Sequence, residues 1–179
     1  MRLTLFTSIL AASGIALSSM IIISQRSNAQ TPTNSYFCGK SKDGVPTTFA
    51  RTPAGDKIQI IRWEKKRIVG NYTPEDRCNI VSHNFQKASQ DDVLNYITTG
   101  RSPNGYPVLC AAERYGEACS YILLTIVEKN DDTAKRVIEN LAALGAVANG
   151  PVVQSFHSSG QPFIDMSKLL QVAPKEKSN

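Results

Sequence analysis

Four cysteines, Cys38, Cys78, Cys110 and Cys119, and two histidines, His83 and His157, hold most of the reactive side-chain chemistry open to this 179-residue chain. Nucleophilic catalysis wants a serine or thiolate beside a histidine that an acid orients. His157 lies in Ser155-Phe156-His157-Ser158-Ser159-Gly160, where a Ser–His pair is chemically conceivable, but a surface histidine in a small-polar loop is the favoured reading. Paired carboxylates, Asp91-Asp92 or Glu113 with Glu117, have the residue types for glycoside chemistry. Asp91-Asp92 reads first as a turn before a strand. No Cys-x-x-Cys, His-Glu-x-x-His, glycine-rich phosphate loop or dinucleotide fingerprint occurs. Neither histidine stands at a helical spacing that would aim it, with Cys78, at one metal. Residue types and spacing therefore nominate no catalytic, cofactor-binding or metal-binding residue. The enzymatic alternative is an envelope-acting hydrolase that uses His157 or one of the acidic pairs.

What the cysteines do depends on where the chain resides. Arg2 precedes a run from Leu3 to Ile23 without a charged residue, and Ser24-Gln25-Arg26-Ser27-Asn28-Ala29 follows, with small residues suited to cleavage after Ala29. Residues 1–29 thus read as a secretory signal. The competing reading is an uncleaved anchor, since about 20 apolar residues span a bilayer, although Ser8, Ser13, Gly14, Ser18 and Ser19 dilute this run. Both readings export everything from Gln30 onward, into a periplasm or thylakoid lumen. An even set of four cysteines in an oxidising compartment predicts two disulfides, with three pairings open. Cys110 and Cys119 flank a turn-like segment, Glu113 to Glu117, between two apolar strands, which favours bonding them to each other and leaves Cys38 for Cys78. The short clamp would stabilise by about 3 kcal/mol and the long one by about 4.

The elements that must position these thiols follow in order. Residues 30–35 form a polar tether, 36–172 a single domain, and 173–179 a loose, charged tail. Tyr36–Gly39 and Pro46–Thr52 read as strands. Lys57–Trp63 alternates as a half-buried third strand after the Pro53-Ala54-Gly55-Asp56 turn. Thr73 is an N-cap, Pro74 suits the first helical position, and Glu75 and Asp76 favour the first turn. Behind them Cys78, Val81, Phe85 and Ala88 recur at helical spacing, so the buried face carries a thiol. Three further strands follow at Leu94–Thr99, Tyr106–Cys110 and Ser120–Val127. A second helix runs from Asn130 to about Ala146, with Val137, Ile138, Leu141 and Leu144 inward and Asn149-Gly150-Pro151 as its stop. Phe163–Leu170 reads as a strand turning into a short helix. The fold expected is α+β, an antiparallel sheet of about six strands with two main helices packed on one face and two disulfides.

The formal charge is +5, and losing Arg2 and Arg26 with the signal leaves +3, too little to argue for nucleic acid. Arg62, Lys65, Lys66 and Arg67 gather around Trp63, with Tyr72 nearby and Tyr106 as a further aromatic. They are the candidate binding patch for an anionic lipid, a glycan or an envelope protein. A charged, solvated turn after a strand explains the same cluster without a function.

Several motifs in order carry a resemblance. They are Phe37-Cys38, Pro46-Thr47-Thr48, Ile61-Arg62-Trp63, Thr73-Pro74-Glu75-Asp76-Arg77-Cys78 with Phe85-Gln86, Leu94-Asn95-Tyr96-Ile97-Thr98-Thr99-Gly100, Gly105-Tyr106-Pro107-Val108-Leu109-Cys110-Ala111, and Cys119. From about Tyr36 to Leu170 the chain resembles the circadian oscillating protein domain of cyanobacteria. That resemblance implies an exported or membrane-associated protein and supplies no catalytic residues. Rhythm is a property of expression and implies no clock role for this domain. The function expected is a non-catalytic binding or structural domain, stapled by disulfides and peripheral to a membrane.

Overall fold

A computed structural model describes residues 33–64, 71–126, 131–146, 153–154 and 161–176. The leader and residues 30–32 of the tether, Lys65, Lys66, Arg67, Val127, Asn130, the Asn149-Gly150-Pro151 stop, His157 and residues 177–179 lie outside them.

The chain opens with an antiparallel meander, β1 (Ser35–Lys40), β2 (Pro46–Arg51) and β3 (Lys57–Arg62). Its two turns put Gly44 and Gly55 at φ of 77° and 89°, a left-handed backbone that glycine adopts without a Cβ penalty. In β3 the alternation buries Ile58 and Ile60. Helix α1 (Pro74–Gln90) follows, with the expected Thr73 cap completed as a capping box. Thr73 Oγ1 accepts from the Asp76 backbone N–H at 3.1 Å, and the Asp76 carboxylate accepts from the Thr73 N–H at 3.0 Å. Its far end is a Schellman motif. Val93 N–H reaches the Ala88 carbonyl, Asp92 N–H reaches that of Ser89, and Asp92, at φ 57°, takes the left-handed position that glycine usually fills.

A second meander follows, β4 (Tyr96–Arg101), β5 (Pro107–Ala112) and β6 (Tyr121–Thr125), then α2 (Asp131–Ala146), β7 (Val153–Gln154), β8 (Phe163–Asp165), α3 (Met166–Val172) and β9 (Lys175–Glu176). The phrase from Phe163 is a strand turning into a helix, as expected, with Asp165 capping α3 by accepting from Lys168 N–H at 3.1 Å. In α2, Ile138 and Leu141 are buried and Val137 partly so.

The class is α+β, antiparallel, with two disulfides, but the arrangement differs from one six-stranded sheet under two helices. The described strands form two sheets, in the orders β1-β2-β3-β9 and β6-β5-β4-β8-β7. Helix α1 packs against β1 and β2 and touches β6, whereas α2 packs on β4, β5 and α3. The physical reason lies at the free edge of β1. Tyr36 N–H, which faces away from β2, donates to Gln86 Oε1 at 2.7 Å, and Cys38 is bonded to Cys78, so α1 occupies the place another strand would take. At β6 the register skips Leu123, and the carbonyl freed there accepts from Asn84 Nδ2 of the same helix at 3.0 Å. One hydrophobic cluster joins both sheets to all three helices, including Ile58, Phe85, Ile97, Leu109, Leu141 and Leu169.

The tail is not loose throughout. Lys175 and Glu176 pair with Ile58 and Lys57 of β3, and two ion pairs, Lys57–Glu176 at 2.9 Å and Lys175–Asp56 at 2.6 Å, hold the contact. Two charged residues after a proline look unlike a strand by composition, and only this tertiary pairing makes them one.

Both disulfides join the cysteines as paired on spacing, Cys38 with Cys78 and Cys110 with Cys119. Room for the second comes from Gly100 on the neighbouring strand β4, where an added Cβ would collide with the Cys119 sulfur and press on Cys110 at 3.4 Å. Gly100→Ala should therefore destabilise the oxidised protein by about 1–3 kcal/mol in urea melts. In a Cys110→Ala/Cys119→Ala background the same substitution should lose most of that effect; an equal loss in both would separate Gly100 from the bridge.

Candidate binding site

Among the described residues of the expected basic and aromatic patch, Trp63 and Arg62 do not share one exposed face. Trp63 is in the core at 5% exposure, its indole N–H donating to Thr48 Oγ1 at 3.1 Å and the Arg77 guanidinium lying 5.1 Å from its ring centroid. Thr48 in turn receives the Ser82 hydroxyl at 3.0 Å, so β2, α1 and the end of β3 share one buried polar node. The sequence shows Trp63 among charges and so suggests exposure. It is buried because Trp63 N–H pairs back to the Pro46 carbonyl, extending the β2–β3 ladder inward by one residue. Arg62 turns the other way, onto Asp43, with nitrogen and oxygen 2.7 Å apart. The Arg62 guanidinium and then the Ser41 hydroxyl hold the Asp43 carboxyl well below the usual carboxylate range. Tyr72 is 55% exposed, Tyr106 is half-buried, and Lys65, Lys66 and Arg67 are outside the described residues.

Among the described residues the candidate catalytic groups are likewise dispersed. His83 is exposed on α1. Glu113 and Glu117 flank Arg114 and pair with it at 3.6 and 3.2 Å. Asp91 pairs with Lys87 one helical turn back, at 3.2 Å. All four sulfurs are in disulfides. Among the described residues no group of three or more His, Cys, Asp or Glu side chains is placed to hold a metal.

What the structure does bring together is a half-open cleft of about 400 Å³. Four chain segments end there: the start of β1 with Asn34 and Tyr36, the exit of α1 with Ser89 and Asp92, the entry to β4 with Asn95 and Tyr96, and the β8–α3 junction with Asp165 and Ser167. Leu94, Met166 and Leu170 supply an apolar floor, and all three are buried. Main-chain bonds fix the geometry, since Met166 N–H reaches the Asn95 carbonyl at 3.0 Å and Gln86 holds β1 to α1.

Tyr36 is the notable member. It keeps 6% of its surface exposed, and its ring tilts against Phe85 at 5.5 Å between centroids. Tyr36 is one of the residues that line the cleft. Burial pushes the phenol pKa up, which keeps the proton on. Asp165 spends one oxygen on the Ser167 hydroxyl at 2.7 Å and on the α3 cap, while its other oxygen is 3.9 Å from Lys168 Nζ. Sequence reading missed this site because its members lie far apart along the chain and each has a local explanation. Asp91-Asp92 was legible as a turn, and only the fold shows that Asp92 faces the cleft while Asp91 does not line it.

Two measurements follow from this placement. Trp63→Ala should cost about 3–5 kcal/mol in chemical denaturation, the range for emptying a buried aromatic site; a loss under about 1 kcal/mol would put the ring at the surface. In acid, Asp43 and Asp76 have depressed pKa values, Asp76 through the Thr73 hydroxyl and backbone N–H. For Glu176 burial pushes upward, but Lys57 and Gln59 together outweigh it and the net shift is down. Carboxyls depressed in the folded state stabilise fully above their unfolded pKa and lose that contribution as the pH falls through the folded one. Tm should therefore be flat above about pH 5 and fall below it. Asp43→Asn should flatten that fall, and an unchanged slope would show that the Arg62 pair does not contribute.

The family model for Circadian oscillating protein COP23 matches residues 35–171. No curated protein and no solved structure matches the chain. The matched span runs from β1 through both disulfides to α3 and contains most of the cleft lining. The chain belongs to the circadian oscillating protein COP23 family.

Proposed function

We propose that this protein is an exported, disulfide-held binding domain, peripheral to a membrane in the cyanobacterial envelope or thylakoid lumen, that presents the Tyr36 cleft to its ligand. The observation that carries the reading is the pairing of every cysteine, which leaves no free thiol and fits an oxidising compartment. The leader composition of residues 1–29 supports the same placement. Among the described residues no helix is long and apolar enough to cross a membrane. Contact with the membrane surface is assigned to exposed Tyr72 and to Lys65, Lys66 and Arg67, which lie just before it in the chain.

A rigid cleft suits binding because little conformational entropy is lost when the ligand arrives. Here α1 is tied to β1 by a disulfide and a side-chain-to-backbone hydrogen bond, and α3 is capped at the cleft rim. In the native host, alkylation of intact protein without reductant should label no cysteine, and labelling after reduction should reach all four. The mature N-terminus should be Gln30, and a carbonate wash should release the protein from membranes. Thiols reactive before reduction would overturn the compartment, and a protein that starts at Met1 and resists the wash would make the leader an anchor.

A further inference from the structure

We infer that β9 is an ionic latch: charge pairs hold it on the β3 edge, and its release as ionic strength rises frays the last turn of α3 while the rest of the fold stays closed. Only the consequence for the cleft rests on the reading of that cleft as a binding site.

Two residues make a poor strand. The ladder of Lys57 with Glu176 and Ile58 with Lys175 is all the strand pairing β9 has, and neither of its side chains is apolar. What holds it is polar. Lys57 Nζ meets Glu176 at 2.9 Å, Gln59 Nε2 donates to the same carboxylate, and Lys175 Nζ meets Asp56 at 2.6 Å. On the sheet side Lys57 is steadied by Phe49, its ammonium lying 3.7 Å from the ring centroid. The signs also fix the register. Sliding β9 by one residue would set Lys175 opposite Lys57 and Glu176 opposite Asp56, and like charges directly opposite destabilise a strand pair. All four charged side chains keep contact with water. Pairs of that kind are weak and yield to salt, so the strap opens locally without global unfolding.

The effect passes to α3, because the chain leaves this helix through Ala173 and Pro174 directly into β9. With seven residues, α3 is too short to persist by its own backbone bonds. Asp165 caps its first turn, and Met166, Leu169 and Leu170 anchor it in the core. At its other end the Ala173 N–H reaches the Leu169 carbonyl at 2.9 Å, and the latch follows at once. Leu170 belongs to that last turn and also lines the cleft. Release of β9 therefore loosens the α3 wall of the cleft and leaves α1, pinned by the Cys38–Cys78 bridge, in place.

The test is hydrogen exchange read by mass spectrometry on the protein with both disulfides closed, comparing a peptide of residues 166–173 with one of residues 74–90. Raising salt from about 0.1 M to about 1 M shortens the reach of a charge from about 10 Å to about 3 Å. Exchange in 166–173 should quicken about fivefold, the factor that two exposed ion pairs represent, with 74–90 unchanged. Asp56→Asn combined with Glu176→Gln should exchange at the fast rate already in low salt and respond no further. Exchange in 166–173 that ignores salt, or that rises equally in 74–90, would overturn the latch, as would a double variant that still answers to salt. No ligand enters these measurements, so their failure leaves the binding reading standing.

Discussion

Helix α1 is fastened to β1 by a covalent bond and a hydrogen bond set two turns apart, and the rest of the architecture depends on that pair. Cys78 and Gln86 lie eight residues apart on one face of the helix, and they meet Cys38 and Tyr36, two residues apart on one strand. Two helical turns rise about 12 Å, whereas two strand residues span about 7 Å, so the helix must cross the strand obliquely for both contacts to form. That angle aims Asn84 toward the bulge in β6 and brings the α1 exit beside the β8–α3 junction. Helix α1 thus packs on strands of both sheets.

The cleft is a by-product of this geometry. Segments that end at one place leave backbone groups to be capped and side chains that cannot all interdigitate. Asp165 shows the first half, since it caps α3 from the edge of the cleft. Tyr36 shows the second, since it lines the cleft while its ring packs against Phe85. The cleft is therefore structural twice over, in its apolar floor and in its caps.

Much of this fold is written locally. The Thr73-Pro74-Glu75-Asp76 start of α1, the alternation in β3 and the strand-to-helix switch at Phe163 need only neighbours in the chain, and so they could be read from residues alone. The disulfide pairing was legible because Cys110 and Cys119 flank one turn and the other two cysteines remained. The split into two sheets was not, because it depends on Gln86 and Asn84, which look like ordinary polar helix residues until their partners are known. Trp63 misled for the same reason. Charged neighbours say nothing about the side of the ladder an indole takes, and Thr48, which receives its N–H, is fifteen residues earlier. The cleft drew on four segments and had no local signature at all.

The connectivity of the bridges bears on how the molecule is made. Each cysteine is bonded to the next one in the sequence, first to second and third to fourth. Were the chain threaded N-terminus first across a membrane, as proposed above, its thiols would meet an oxidant in that same order, and joining each new arrival to the one already waiting would yield the native set. Under that proposal an oxidase would be needed and an isomerase hardly at all.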